Sequence, residues 1–249
     1  TAKLNYKGSS DMIGGEPEES HEKAGEEFAR GHYEQLVSAT GVIKVGDEEF
    51  EVNGHGLRDH SWGPRTWQAP YYYRWLTANF GNKLGFMASR VARRDSDGTR
   101  AGFLWDGESN KFIHDVRIET EWSDEEKIHR NLTLKLKSGD KEFVVKGEVM
   151  NMIPLRNRRE GMVTRISEGM TKWTLEDGTV GYGLSEYLDQ IIEGAPVGIA
   201  VRPSSLPTAT NFPNCQHGHQ RHEHGVDRQL RQRDGRRLQR QEQLCERDA

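Results

Sequence analysis

Apolar and polar residues alternate along this chain in short runs, and turn residues separate the runs. The clearest run is Lys111-Phe112-Ile113-His114-Asp115-Val116-Arg117-Ile118-Glu119. A period of two predicts a strand with one face in a core. Tyr33 to Val45 leads into Gly46-Asp47-Glu48, and Glu49-Phe50-Glu51-Val52 alternates after it, which predicts a hairpin. Tyr71 to Phe80 is rich in aromatics and reads as a buried strand ending at Gly81-Asn82. Leu84 to Val91 and Gly102 to Trp105 flank the turn residues Asp95-Ser96-Asp97-Gly98. Asn131 to Lys137 and Glu142 to Val149 are joined by Ser138-Gly139-Asp140. Arg165 to Leu175 and Val180 to Tyr187 are joined by Glu176-Asp177-Gly178. Leu188 to Glu193 reads as one short helix. Roughly nine strands with a turn signal about every ten residues predict an all-β sandwich or barrel.

The two ends break the pattern. Residues 1–30 hold one strand-like piece, Lys3 to Lys7, and then the acidic linker Gly14-Gly15-Glu16-Pro17-Glu18-Glu19-Ser20. From Pro203 to Ala249 the chain is dense in Arg, Gln and His and has no Trp or Tyr. Such a stretch buries too little apolar surface to offset its ordering entropy, so it reads as a disordered tail or as sequence that is not native. The predicted organisation is a disordered lead-in over 1–30, a β-barrel over 31–202 and a disordered tail over 203–249.

Composition narrows the function classes. With 35 basic and 39 acidic residues the formal charge is -4, which gives no general attraction to nucleic acid or anionic lipid. No stretch approaches the roughly 20 apolar residues of a membrane helix, so no span is predicted. Cys215 and Cys245 are the only cysteines and both lie in the tail. The predicted folded region is therefore free of disulfides, which points to a reducing, cytoplasmic setting.

Chemistry concentrates in Gly54-His55-Gly56-Leu57-Arg58-Asp59-His60-Ser61-Trp62-Gly63-Pro64-Arg65. In an extended chain Arg58, His60 and Trp62 share one face, and Leu57, Asp59 and Ser61 share the other. Asp59 is then placed to fix backbone amides or to pair with an arginine across the sheet, Arg65 or Arg74. His60 is placed to point with Trp62 into a barrel interior and to act as a general acid or base. Tyr71, Tyr73 and Trp75 share a face and suit the wall of an apolar ligand cavity, which His114 would also line. The alternative is that all of these are core or surface residues of an ordinary sheet. His55 and His60 lie five apart with no cysteine nearby, and Gly181-x-Gly183 lacks the context of a dinucleotide loop. No metal and no cofactor are predicted.

The string Arg58-Asp59-His60-Ser61-Trp62-Gly63 resembles the Asp-His-x-Trp-Gly signature of the hydroxyneurosporene synthase and AttH-like family, and the longer Gly54 to Arg65 string resembles an uncharacterised bacterial branch of it. The resemblance covers about His32 to Ala200 and implies a lipocalin-like antiparallel β-barrel, the second of two in tandem. Lys3 to Lys7 would be the last strand of an absent N-terminal barrel. It also implies a hydrophobic ligand such as an isoprenoid, steroid or polyketide. Proton-transfer chemistry on it would be hydration, isomerisation or cyclisation, with His60 and Asp59 catalytic and Arg58, Trp62, Arg65, Tyr71, Tyr73, Trp75 and His114 binding. In that family proton transfer is thought to need a carboxylic acid from a neighbouring strand, whereas Leu84 to Val91 carries no Asp or Glu. The alternatives are a non-catalytic lipophile carrier and a structural domain of a larger protein.

Overall fold

The structure is a computed structural model that describes residues 1–16 and 28–200. The expectations for the core of the acidic linker and for the tail over 203–249 fall outside the described residues. Strands β1 (Ala2–Gly8), β2 (Ile13–Gly15), β3 (Gly31–Val45) and β4 (Glu48–Trp62) form one antiparallel sheet in which β3 pairs with all three others. The other sheet contains β5 (Tyr72–Asn79), β6 (Gly85–Ala92), β7 (Thr99–Trp105), β8 (Asn110–Ile113) and β9 (Asp115–Trp122). It continues through β10 (His129–Ser138), β11 (Lys141–Arg159), β12 (Met162–Leu175), β13 (Val180–Ile192) and the short β14 (Ala195–Pro196). The chain is thus mostly antiparallel β-sheet, as the alternation predicts.

The order β8-β7-β6-β5-β13-β12-β11-β10-β9 explains how the second sheet curls. Its two ends are halves of one strand, parted only at His114. β8 bonds to β7 and β9 bonds to β10, and the His114 amide donates to the Lys137 carbonyl at 2.9 Å where the edges meet. The first and last long strands, β5 and β13, are themselves paired. A meander closed in this way curls into a barrel, which leaves few open edges.

Alternation then assigns the two faces of the wall. Leu76, Ala78, Phe86, Ala88, Leu134 and Trp173 point inward and form the main core. Tyr73, Ile166 and Leu188 form a separate cluster with Trp75, Phe28 and Trp67 on the outer side. The β3–β4 hairpin lies over that outer side, because Leu36 and Leu57 need cover and find it against Met87, Phe103 and Trp105. Gly63 ends the hairpin at φ 95, a conformation that L side chains rarely adopt, and an added Cβ there would meet Arg30 at 2.4 Å.

Three local expectations are corrected. Leu188 to Glu193 is mostly strand, because this part of β13 pairs with β5, β12 and β14. The run from Lys111 to Glu119 breaks at His114, where the stave changes partners. The strand begun at Glu142 does not stop at Val149 but continues to Arg159 as a long hairpin with β12. No described helix is long and apolar enough to cross a membrane.

Candidate functional site

Hairpin register builds the site. β3 and β4 pair symmetrically, so His32 lies opposite Ser61, Glu34 opposite Asp59 and Leu36 opposite Leu57. These residues share the face that Leu36 and Leu57 bury, so the polar members are carried against the barrel wall. His32 Nε2 lies 3.0 Å from Asp59 Oδ2 and 3.4 Å from Glu34 Oε1. Glu34 is only 2% exposed; its Oε1 accepts a 2.7 Å hydrogen bond from the Trp75 indole, and its Oε2 is buried with no partner.

The barrel wall supplies further acids. Glu168 and Glu186 lie opposite each other on β12 and β13, and Glu186 lies opposite Trp75 on β5. The Tyr73 hydroxyl donates to Glu186. Arg65, in the loop after β4, donates to Ser61 Oγ at 2.9 Å and lies over the rings of Phe28 and Trp67 at 4.4 and 4.8 Å. The arginine therefore sits beside an acid-rich, aromatic junction between the two sheets.

Electrostatics follow from crowding acids into low dielectric. Burial pushes the Glu34 carboxyl up to about 7, with the Trp75 bond opposing. Burial and then the charge of Glu186 push Glu168 up to about 7. Glu186 is raised by burial and lowered by its Tyr73 bond and by Arg65. Tyr73 is raised, first by burial and then by Glu186. His32 is raised by its hydrogen bond to Asp59, with burial opposing.

The motif's residues divide between two faces, as alternation predicts, but the chemical face is the other one. Arg58, His60 and Trp62 point away from the barrel, where His60 is exposed and stacks on Tyr33 at 5.2 Å with Trp62 5.5 Å away. The Arg58 guanidinium also lies over the Tyr33 ring, at 5.3 Å. The expectation that His60 and Trp62 point into a barrel interior is corrected: their hairpin lies outside the barrel and buries its Leu36–Leu57 face. Asp59 pairs with His32 rather than with Arg65 or Arg74, since the register sets it beside β3. Arg65, Tyr73 and Trp75 do come together with Asp59. Tyr71 lies under Arg94 at 5.0 Å, away from this cluster, and His114 is exposed at the bend of the stave. Because β5 turns Tyr73 and Trp75 outward, it is Tyr72 and Arg74 that line the barrel interior.

His32, Glu34, Glu168 and Glu186 were not foreseen from sequence. A signal existed: Glu34 and Asp59 are mirror positions about the turn at Gly46-Asp47, and Glu168 and Glu186 are mirror positions about Asp177. His32, Glu34 and Asp59 also bring three ligand atoms within 4.8 Å, a spacing a metal ion could use. Yet His32 Nε2 is already bonded to Asp59 and Glu34 Oε1 to Trp75.

Fold and site together define an all-β barrel protein with an acidic junction on its outer wall. The chain belongs to the family described as Domain of unknown function (DUF7064), which it matches over residues 1–191. Among solved structures it is similar to an AttH-like protein from Nitrosomonas europaea, with 15% identity over 74% of this chain and 59% of that one and a TM-score of 0.49. It is also similar to kievitone hydratase from Nectria haematococca, with 14% identity over 76% of this chain and 61% of that one and a TM-score of 0.46. The chain spans about three fifths of the length of those two structures. No curated protein matches the sequence.

Proposed function

We propose that the junction carries proton-transfer chemistry on a hydrophobic small molecule, with Glu34 as the neutral acid. The observation behind this reading is the orphaned Oε2 of Glu34, buried while Oε1 is fixed by Trp75. An ionised carboxylate oxygen in that position would be expensive to leave unpaired. A protonated one is a donor awaiting an acceptor, and a value of about 7 keeps both forms accessible near neutrality.

A carboxylic acid of that strength suits a polarised double bond or an enolisable carbonyl better than a bare alkene. In an isomerisation, Asp59, held by His32, takes a proton from the carbon next to the carbonyl while Glu34 gives its proton to the oxygen; Asp59 then delivers the proton to the far carbon of the conjugated system as Glu34 takes the enol proton back. In a hydration, the same dyad takes a proton from water, the water oxygen bonds to the β-carbon, and Glu34 protonates the enolate that forms. Trp75 and Tyr73 line the approach with aromatic surface, and Arg65 orients a polar substituent. The acid missing from Leu84 to Val91 is on this reading supplied by β3.

The test uses a panel of steroid and polyketide ketones in heavy water, with deuterium uptake read by mass spectrometry. Glu34→Gln keeps the shape and the Trp75 bond, and it should lower exchange roughly a hundredfold or more with affinity little changed. Unchanged exchange in Glu34→Gln would dismiss Glu34 as the acid. Binding without any exchange by the unmodified protein would leave a lipophile carrier in its place.

A further inference from the structure

β3 sets His32 and Glu34 two residues apart, and the hairpin register brings Asp59 opposite Glu34. In paired extended strands such positions share a face, so an imidazole and two carboxylates meet at one spot. His32 Nε2 lies 3.0 Å from Asp59 Oδ2 and 3.4 Å from Glu34 Oε1. One donor atom from each of the three residues falls within 4.8 Å of the others. Bonds to zinc of about 2.0 to 2.2 Å set neighbouring ligand atoms roughly 3.0 to 3.5 Å apart. Both edges of the triangle that meet at His32 already have that length. One imidazole with two carboxylates is also a donor set that suits zinc.

A second observation comes from Glu34 itself. The residue is 2% exposed, and its Oε2 has no hydrogen-bond partner. A buried carboxylate oxygen is costly without a positive charge beside it, and either a proton or a cation supplies one. Oε1 accepts from the Trp75 indole at 2.7 Å, the kind of outer contact that fixes a ligating carboxylate. That bond uses one lone pair and leaves the others for an ion. The bond between His32 and Asp59 gives way on binding. The Nε2 proton leaves to solvent, the ring keeps its proton on Nδ1, and Nε2 and Oδ2 both turn lone pairs on the ion. His32 and Asp59 are about two-fifths exposed, so an ion can enter from solvent and keep water at its remaining positions. Glu168 and Glu186 add negative charge nearby, whereas Arg65 is engaged with Ser61 and the rings of Phe28 and Trp67.

We propose that His32, Glu34 and Asp59 form a site for a divalent transition-metal ion such as zinc, which competes there with the transferable proton. The ion holds Glu34 as the carboxylate and takes Asp59 away as a base. A filled site therefore switches proton transfer off, a consequence that rests on the proton-transfer reading. The binding itself does not depend on that reading, because it follows from the donor atoms and their spacing.

Titration of the full chain with Zn²⁺, followed by the NMR signal of the Trp75 indole N–H, tests the proposal. The histidines His217, His219, His222 and His224 can also take zinc, so a readout at Trp75 is needed rather than total uptake. The Trp75 signal should shift and saturate as zinc is added. His32→Ala and Asp59→Asn should each weaken that binding at least about tenfold, the cost of disturbing even an outer contact of such a site. His60→Ala, whose ring faces the other way, should leave it unchanged. Deuterium exchange into the ketone panel, measured on the same samples, separates the two claims. Zinc at saturation should stop exchange. Zinc binding by a protein that exchanges no ketone would uphold the ion site and remove only the proton-transfer reading. A Trp75 signal that ignores zinc, or His32→Ala and Asp59→Asn both binding like the unmodified protein, would overturn the site. Exchange that continues with the site filled would overturn the competition.

Discussion

Arg74 inside the barrel and Glu34 on its outer wall are both almost fully covered, yet their surroundings treat charge in opposite ways. Arg74 has a bidentate partner in Asp189 and also donates to the carbonyls of Tyr73 and Leu188. His129, likewise inside and 0% exposed, stacks on Tyr187 at 3.9 Å and bonds through Nε2 to Ser185. Burial lowers His129 to about 3, so it is neutral at any ordinary pH. At the junction, acids crowd together, and Glu34 and Glu168 stand near 7. The inside has settled its protonation states and contributes rigidity. The outside has left them open near neutrality, which is what proton transfer needs. The two regions should therefore respond to pH with opposite signs.

The largest effect is expected inside. The folded value of His129 lies below the usual 6.5, so as pH falls the unfolded chain takes up the proton first. Its stabilisation is full above about pH 6.5 and is lost on the way to about pH 3, by as much as roughly 5 kcal/mol. Urea unfolding of His129→Gln should begin from lower stability at pH 7, having lost the stack on Tyr187, and then fall less steeply in acid. Identical acid slopes in variant and parent would mean that this histidine is not the neutral plug the barrel requires.

The junction should show the reverse. Glu34 titrates near 7 when folded against 4.5 otherwise, so the unfolded chain ionises first as pH rises. The contribution is full below about pH 4.5 and is lost through pH 7, by up to roughly 3 kcal/mol. Glu34→Gln removes that loss. Relative to the parent, it should gain about 2 to 3 kcal/mol between pH 4 and pH 8. Curves that run parallel across this window would show an ordinary carboxyl at Glu34, and the contrast with the interior would collapse.

How much of this contrast was legible in the sequence depends on the range of the interaction. Alternation gave the strands, and within the motif it separated Arg58, His60 and Trp62 from Leu57, Asp59 and Ser61 as the structure has them. Which face is buried was not local information. It is decided by Phe103, Trp105 and Met87 on another sheet, which cover Leu36 and Leu57. The Arg74–Asp189 pair spans 115 residues, and only the closure of β13 onto β5 brings it together. Glu34 reads as an ordinary polar position of a strand until the hairpin is folded about Gly46-Asp47 and set against Trp75. The signature drew attention to its imidazole because histidine is the residue that usually titrates near neutrality. Burial gave that property to a glutamate instead.

The smallest expected effect separates the two faces of the hairpin itself. His60 stacks on Tyr33 in the open, so His60→Ala should cost less than about 1 kcal/mol in unfolding experiments. It should also leave deuterium exchange into the ketone panel unchanged. Asp59→Asn, one residue away on the other face, keeps the shape of the side chain but removes the charge that holds His32. It should reduce exchange while leaving the fold intact, because both partners are about two-fifths exposed and their pairing adds little stability. Exchange that is lost in His60→Ala and kept in Asp59→Asn would move the chemistry to the outward face and leave the buried acids with a purely structural part.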